Sequence, residues 1–206
     1  TLFSTDIKLY PGSEITYYLD ETIMVITWKE LIGGSVYTLS EVKIAHPSQF
    51  RRFLAGGEYG SEKQFITTEM AASVNAVVAS SGDFYRFRNY GTIVHEGIVR
   101  RVNNWNIDTC MIDDKGDMHL IRAGELMTME EAQQYVDDNN IRFSLAFGPA
   151  LVDESECIPV PSNYTLGEVE DNYPRAAICK MPGQLHYLMV AANQDPNRGY
   201  LNVPDM

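Results

Sequence analysis

The sequence contains few of the residues that point directly to a chemical class. Its three cysteines, Cys110, Cys157 and Cys179, are odd in number and far apart in 206 residues. They therefore fit neither a disulfide framework nor the close pairs that hold zinc. The four histidines also lack the spacing of metal ligands. We predict buried thiols, no metal site and no cofactor.

Long apolar runs and positive charge are also scarce. No run approaches the ~20 apolar residues that span a bilayer, and no basic segment followed by an apolar one opens the chain. The sequence therefore predicts no transmembrane segment. Sixteen basic residues against 28 acidic residues give a net charge of −12, which repels a phosphate backbone. Nucleic acid is not an expected partner.

Alternating apolar and polar residues dominate and predict strands. The predicted strands are Ile23–Trp28, Ser35–Ala45 with one irregularity that suggests a β-bulge, Val74–Ser80, Thr92–His95, Ile98–Val102, Thr109–Ile112, Met118–Arg122, Ile141–Phe147, Arg175–Lys180 and Leu185–Ala191. The predicted helices are Thr128–Asp138, opened by a capping box of Thr128 and Glu131, then Ser48–Ala55, and one that begins at Ser61 or Thr67 and ends at Ser73. We expect one globular domain with an α+β fold, in which a mixed, mainly antiparallel sheet packs with a few short helices.

The stretch from Val74 to Arg100 concentrates residues that are capable of chemistry. A strand of small apolar residues is expected to end at Ser81, Gly82 and Asp83. Arg86 and Arg88 follow and alternate with aromatics, so on a strand both would face one side, either attracting phosphate or forming a solvated face. Because strand ends present polar groups on a rigid scaffold, this stretch is a candidate site.

Four segments, taken in order, resemble the phosphodiester glycosidase family, the bacterial relatives of the N-acetylglucosamine-1-phosphodiester "uncovering" enzyme. They are Asn75–Tyr85, Gly91–Gly97, Ala146–Val152, and Pro174–Ile178 followed by the strand Leu185–Val190. The resemblance implies a family domain over residues 67–206, preceded by a variable N-terminal part of the same domain over residues 1–66. The family pattern normally continues past Gly199, so we expect this domain to be C-terminally incomplete here.

The resemblance implies a hydrolase that cleaves a sugar-1-phosphodiester, such as that of N-acetylglucosamine, to free sugar and phosphomonoester. A phosphate is a good leaving group, so a cation that stabilises it matters more than a strong general acid. Arg175 matches the arginine of a Pro-Arg-Ala-Ala motif and is expected to clamp the phosphate. Asp83 matches an acidic position and is expected to act at the anomeric carbon. The expected substrate-binding residues are Ser81, which stands where the family usually has Asn, Gly82, Arg86, Gly148 and His186.

Ordinary structural roles are open for the same residues. Arg175 could pair with Glu168, Glu170 or Asp171, and Asp83 could be a turn residue. His186 could be a satisfied sheet residue, and the Gly148-Pro149 pair a plain turn.

Two alternatives are open for the whole chain. One is a non-catalytic glycan- or phosphoglycan-binding module of the bacterial cell surface, which the serine at position 81 favours, and the other is a structural envelope domain without a small ligand. Whether the chain is an enzyme therefore stays open at this point. In each case we expect an extracellular or envelope-associated protein whose signal or anchor is absent from this chain.

Overall fold

The chain forms two compact units, each assembled from separated stretches of sequence. The computed structural model describes residues 3–5, 8, 14–83, 85–146, 148–161, 164, 169, 171 and 173–192. The first unit takes residues 1–50, 66–81 and 171–206, and the second takes residues 51–65 and 82–170. Both units include residues from either side of the 66/67 boundary. The 66/67 boundary was placed by resemblance to a sequence family, not by compactness, and it stays a prediction.

Strands predominate in the described residues. In chain order they are β1 (Ile15–Leu19), β2 (Ile23–Ile32), β3 (Ser35–Ile44), β4 (Ile93–His95), β5 (Ile98–Arg101), β6 (Thr109–Asp113), β7 (Met118–Ile121), β8 (Ile141–Ala146), β9 (Val152–Asp153), β10 (Glu156–Cys157), β11 (Arg175–Lys180) and β12 (His186–Ala192). The α-helices of the described residues are α1 (Thr67–Ser73) and α2 (Met129–Asp138). With about 38% strand in antiparallel sheets, the α+β prediction is confirmed. No helix of the described part is long and apolar enough to cross a bilayer.

The first unit contains a five-stranded antiparallel sheet in the order β1-β2-β3-β12-β11. Gly33 and Gly34, with φ values of 58° and 89°, form the two-residue turn between β2 and β3, as the twist of a hairpin requires. The β2–β3 ladder then runs without a register shift from Ile32 opposite Ser35 to Ile23 opposite Ile44. The bulge that we predicted in Ser35–Ala45 is therefore wrong.

The predicted strand Val74–Ser80 is also wrong, because helix α1 ends at Ser73 and its C-terminal turn takes up the first residues of that range. Asn75 has a φ of 51°, and its N–H donates to Ala72 O at 3.3 Å while the Ala76 N–H donates to Ala71 O at 2.9 Å. This pair of bonds is a Schellman motif, which terminates a helix and turns the chain away. The residues that follow, Val77–Ser80, have no strand assignment and are mostly exposed, although valine favours strands.

The second unit contains a five-stranded sheet in the order β5-β4-β8-β6-β7 and the two-stranded β9–β10 hairpin. Helix α2 covers the five-stranded sheet, and its buried Ala132 and Val136 join a core with Val94, Met111 and Ile141. The predicted capping box is confirmed: Thr128 Oγ1 accepts the Glu131 N–H at 3.1 Å, and Glu131 Oε2 accepts the Thr128 N–H at 3.0 Å.

The hairpin turn between β6 and β7 is organised by Asp113. Its Oδ1 accepts the N–H groups of Lys115 at 2.9 Å and Asp117 at 2.8 Å, and its Oδ2 lies 3.2 Å from His119 Nε2. Burial alone would raise the pKa of Asp113, but these partners outweigh it and the pKa lies below the ordinary value of 3.8. The ionised carboxylate therefore stabilises the turn.

The predicted helix Ser48–Ala55 is wrong. Only a short 3-10 turn forms, at Pro47–Gln49, and the chain beyond it is irregular. Arg52 lies in this irregular stretch, where its side chain donates hydrogen bonds to Ser144 O and Asp83 Oδ1, both distant in sequence and in the second unit. Local helix propensity is a weak force, and such tertiary contacts readily override it.

Candidate functional site

The residues predicted for the site are divided between the two units. Ser81, Arg175 and His186 belong to the first unit, and Gly82, Asp83, Arg86 and Gly148 belong to the second. The convergence of Asp83 with Arg175 on one ligand stays a prediction, and the surroundings of each residue are described within its own unit.

Asp83 takes part in a buried ion pair. Its side chain is 1% exposed and that of Arg52 is 7% exposed, with 2.6 Å between Asp83 Oδ1 and Arg52 Nη2. The other carboxylate oxygen, Oδ2, accepts the backbone N–H of Ala146 at 2.8 Å. Arg52 also donates from Nη1 to Ser144 O at 2.7 Å. Both oxygens of Asp83 are thus engaged by the end of strand β8 and by the arginine.

The electrostatics of Asp83 follow from this burial. Desolvation raises the pKa of Asp83, and Arg52, the Ala146 N–H and Arg101 oppose the rise. A buried carboxylate of this kind requires its partners, because an unpaired charge in the interior is costly. In this geometry Asp83 crosslinks the segment after Gly82 to strand β8.

Arg101, at the end of strand β5, organises the loop that follows Asp83. Its guanidinium donates to three backbone carbonyls, those of Tyr85 at 2.7 Å, Tyr90 at 2.5 Å and Gly91 at 3.5 Å. Five donors in a planar fork suit this task. Residues 85–91, which we call the arginine–aromatic loop, are therefore fixed from the inside by a charged side chain.

The base of the arginine–aromatic loop is packed by rings. Tyr85 is half-buried and stacks on Tyr59, with 5.2 Å between ring centroids and 20° between planes. The guanidinium of Arg52 lies 5.3 Å from the centroid of the Tyr85 ring. Gly91 closes the loop with a φ of 81°, and a Cβ there would lie 2.3 Å from Ala146 Cβ. Only glycine fits at this position.

The outer side of the arginine–aromatic loop is exposed. Arg86, Phe87, Arg88, Asn89 and Tyr90 are all exposed, with Phe87 at 64% and Tyr90 at 38%. The Arg86 guanidinium lies 5.8 Å from the centroid of the Phe87 ring. This segment forms a turn rather than the strand on which Arg86 and Arg88 would share a face. A guanidinium and an aromatic face are nevertheless presented side by side.

Gly148 is exposed, but the position that a Cβ would take on it is crowded. A Cβ on Gly148 would lie 2.5 Å from Tyr164 Oη and 3.0 Å from Asp108 Cβ. Tyr164 Oη accepts the Asp108 N–H at 2.8 Å, and burial raises the pKa of Tyr164. The Asp108 carboxylate in turn accepts the N–H groups of Ala123 and Ala150, both at 3.0 Å. Tyr164 and Asp108 therefore occupy the side of Gly148 toward which a Cβ would project, and the predicted contact of Gly148 with a ligand stays a prediction.

Ser81 and Gly82 are both exposed. A Cβ on Gly82 would meet Leu145 at 3.9 Å, an ordinary contact distance, and the backbone of Gly82 is not left-handed. No local steric reason therefore requires glycine at position 82. The predicted approach of these backbone amides to an anion stays a prediction.

Arg175 begins strand β11 of the first unit. Its Nη2 donates to the backbone carbonyl of Asp171 at 2.5 Å, and its guanidinium lies 5.6 Å from the centroid of the Tyr173 ring. Within the described residues the contact to Asp171 thus involves the carbonyl oxygen. The alternative partners Glu168 and Glu170 lie outside the described residues.

His186, also in the first unit, is held between two acceptors. Its Nε2 lies 2.8 Å from Oε1 of Glu41, and its Nδ1 lies 3.1 Å from the carbonyl oxygen of Pro182. Glu41 is 4% exposed, so this pairing between β12 and β3 gives His186 a structural role within the sheet.

The described ranges contain no group of three or more His, Cys, Asp or Glu side chains that could hold a metal ion. No protein-family model matches the chain, and no curated protein matches it. The phosphodiester glycosidase resemblance therefore stays a prediction.

Sequence reasoning missed the two arginines that build this region. Arg52 was assigned to a helix, and Arg101 was treated as part of an ordinary strand. A signal was present in the composition: residues 84–107 contain four arginines and one acidic residue, in a chain whose net charge is −12. Such a local reversal of charge marks a segment that binds either its own carbonyls or an anion.

Proposed function

We propose that the chain is a glycan-binding module that holds an anionic, phosphodiester-linked sugar on the arginine–aromatic loop. The observation that carries this proposal is the presentation of Arg86 and Phe87 on the outside of a loop that Arg101 fixes from within. A preorganised loop loses little conformational entropy when it binds, which favours a binding role.

The chemistry of the exposed residues fits such a ligand. A guanidinium donates two parallel hydrogen bonds to phosphate oxygens. An aromatic face packs against the apolar C–H face of a sugar ring, and the ring itself is rigid. Arg86 and Phe87 are neighbours with 5.8 Å between the guanidinium carbon and the ring centroid, so one ligand can contact both.

The engagement of Asp83 favours binding over catalysis. A nucleophile or general base must direct a free oxygen at the substrate, whereas both oxygens of Asp83 accept bonds from Arg52 and Ala146. In the described geometry, attack by Asp83 would require these bonds to break first.

Titration calorimetry with the methyl phosphodiester of N-acetylglucosamine-1-phosphate tests the proposal. Arg86→Ala is expected to weaken binding about five- to tenfold, the loss of one exposed charged contact. Phe87→Ala is expected to weaken the binding of this ligand and of the phosphate-free methyl glycoside by the same factor. Lys115→Ala, which removes an exposed charge from the β6–β7 turn, serves as the control. Wild-type affinity in Arg86→Ala and Phe87→Ala, or no binding by the wild type, refutes the proposal.

Hydrolysis of the same sugar-1-phosphodiester is the second candidate, and one observation favours it. The pKa of Asp83 is raised by burial beside two arginines, a setting that is common for acid–base carboxyl groups. Here Asp83 keeps the role at the anomeric carbon that the resemblance implies, and the role of Arg175 at the phosphate stays a separate prediction. Release of N-acetylglucosamine by the wild type, abolished in Arg175→Ala but not in Arg86→Ala, would select this candidate. Both candidates carry the same expectation of an extracellular or envelope location in a bacterium.

A further inference from the structure

Trp105 is the most exposed tryptophan of the chain and stands on a rigid turn. Its side chain is 72% exposed. The preceding residue, Asn104, is fully buried, and its Nδ2 donates to the carbonyls of Arg122 and Glu125, both at 3.1 Å. Thr109 Oγ1 donates to Asn104 Oδ1 at 3.4 Å. The backbone is thus fixed while the indole, a large apolar surface, remains in solvent.

Residues 103–105, which we call the Trp105 turn, form hydrogen bonds with the arginine–aromatic loop, and both segments lie in the second unit. The Gly91 N–H donates to Asn103 O at 2.7 Å, and Asn103 Nδ2 donates to Asn89 O. Phe87 and Trp105 are each two residues away from this junction, and two residues span at most about 7 Å. The indole is therefore a neighbour of the loop on the same unit.

We propose that Trp105 forms a second sugar subsite beside the arginine–aromatic loop, so that this surface takes an anionic oligosaccharide of at least two repeating units. This inference rests on the proposed function and extends it from a single sugar to a chain. The first sugar of the ligand contacts Arg86 and Phe87, and the next sugar packs on the indole of Trp105. The amides of Asn89 and Asn103 lie between them and supply donors and acceptors for hydroxyl groups.

The distribution of charge favours a ligand with spaced negative charges. Residues 84–107 are basic, with four arginines against Glu96, which complements an anionic ligand. The chain as a whole carries a charge of −12, which repels a ligand with a charge at every position, such as a nucleic acid. A glycan with spaced phosphodiesters meets the local positive charge without extending a dense run of charge over the acidic remainder.

The two tryptophans of the chain give a direct readout. Trp28 is 7% exposed and Trp105 is 72% exposed, so acrylamide quenches mainly Trp105. The probes are the methyl phosphodiester of N-acetylglucosamine-1-phosphate and a trimer of N-acetylglucosamine joined through 1-phosphodiesters. We expect the trimer, but not the monomer, to protect the fluorescence from acrylamide and to shift its emission to the blue. In Trp105→Phe, whose remaining emission comes from Trp28, this protection should be absent.

Binding constants measured by calorimetry complete the test. Trp105→Ala should weaken binding of the trimer about three- to tenfold, which corresponds to the loss of one aromatic contact. The affinity for the monomer should not change. Tyr17→Ala removes a ring of similar exposure, 75% against 72% for Trp105, from the first unit and should change neither affinity.

The possible failures are distinguishable. If the monomer binds but the trimer neither protects Trp105 nor depends on it, the second subsite is refuted and the proposed function stands. If neither ligand binds, both are refuted. Protection that rises with protein concentration alone would show that a second copy covers Trp105, and protection by an oligouridylate would show a nucleic-acid surface. Either of these results overturns the oligosaccharide proposal.

Discussion

Replacing Asp83 with asparagine separates a structural carboxylate from a catalytic one. Asparagine has nearly the same shape but carries no charge and has one acceptor oxygen in place of two. It can keep the bond from the Ala146 N–H or the bond from Arg52, which the native carboxylate accepts at 2.8 Å and 2.6 Å. The guanidinium of Arg52, with 7% of its side chain exposed, then loses its counter-ion.

The magnitude follows from this geometry. Removal of one partner from a buried ion pair costs about 3–5 kcal/mol. The remaining acceptor oxygen of asparagine places Asp83→Asn at the lower end, about 3 kcal/mol. If Asp83 were instead a catalytic group kept at the expense of stability, the same substitution would leave stability unchanged or increase it. The two interpretations therefore differ in sign or by several kcal/mol.

Urea unfolding followed by circular dichroism at pH 7 measures the difference. Hydrogen exchange at the Ala146 amide, which donates to Asp83, supplies a local readout that does not depend on a two-state transition. Asp114→Asn, an exposed carboxylate of the same unit, is the matched control and should change stability by less than about 0.5 kcal/mol.

A double-mutant cycle with Arg52→Met completes the test. Because removal of both charges leaves no unpaired ion, the double variant should be less destabilised than the sum of the single variants, with a coupling of about 2 kcal/mol. A stability change below about 0.5 kcal/mol in Asp83→Asn, with unchanged exchange at Ala146, refutes the structural role of the pair.

Three further predictions concern the second unit. Asp113 has a pKa below its ordinary value of 3.8, so its carboxylate stabilises the fold above pH 3.8, and this contribution is lost as the pH falls through the folded-state pKa. Urea unfolding between pH 2 and 6 should therefore show a lower free energy of unfolding for Asp113→Asn than for the wild type only at the upper end of this range. Gly91→Ala should lower the unfolding free energy by about 2–4 kcal/mol in thermal unfolding, because the added Cβ would lie 2.3 Å from Cβ of Ala146. Gly57 is the control: it has a similar φ of 83° and no atom within 4 Å of an added Cβ, so Gly57→Ala should cost only about 1 kcal/mol. Thr92→Val should raise the unfolding free energy by about 1 kcal/mol in the same assay, because the Thr92 hydroxyl is buried and has no hydrogen-bond partner within the described residues.

Local patterns in the sequence predicted much of the fold. The strand Arg175–Lys180 has the bounds that we expected, and the capping box of Thr128 and Glu131 gave the start of α2. These features depend on residues a few positions apart, which the sequence displays directly. The strand Ile15–Leu19 was missed because all five of its side chains are exposed, so it lacks the alternation that marks a half-buried strand.

The candidate site was less predictable because its contacts are distant in sequence. Arg52 and Asp83 are 31 positions apart, and Arg52 and Ser144 are 92 apart. Neither spacing leaves a periodic signal. Asp83 and Arg86 are both polar residues in an unusual segment, but their neighbours in the sequence give no means of telling which one faces the interior.

The same physical requirement explains why structural and functional charges lie together here. A loop that directs Phe87 and Tyr90 outward gives up the apolar contacts that normally fix a loop to its core. Arg101 replaces them with bonds to backbone carbonyls, and the buried pair of Arg52 and Asp83 fixes the segment before it. Charged residues that anchor the backbone are thus a consequence of presenting aromatic rings to solvent. The same arrangement, with Arg101 inside the loop and Arg86 outside it, is what the proposed binding function requires.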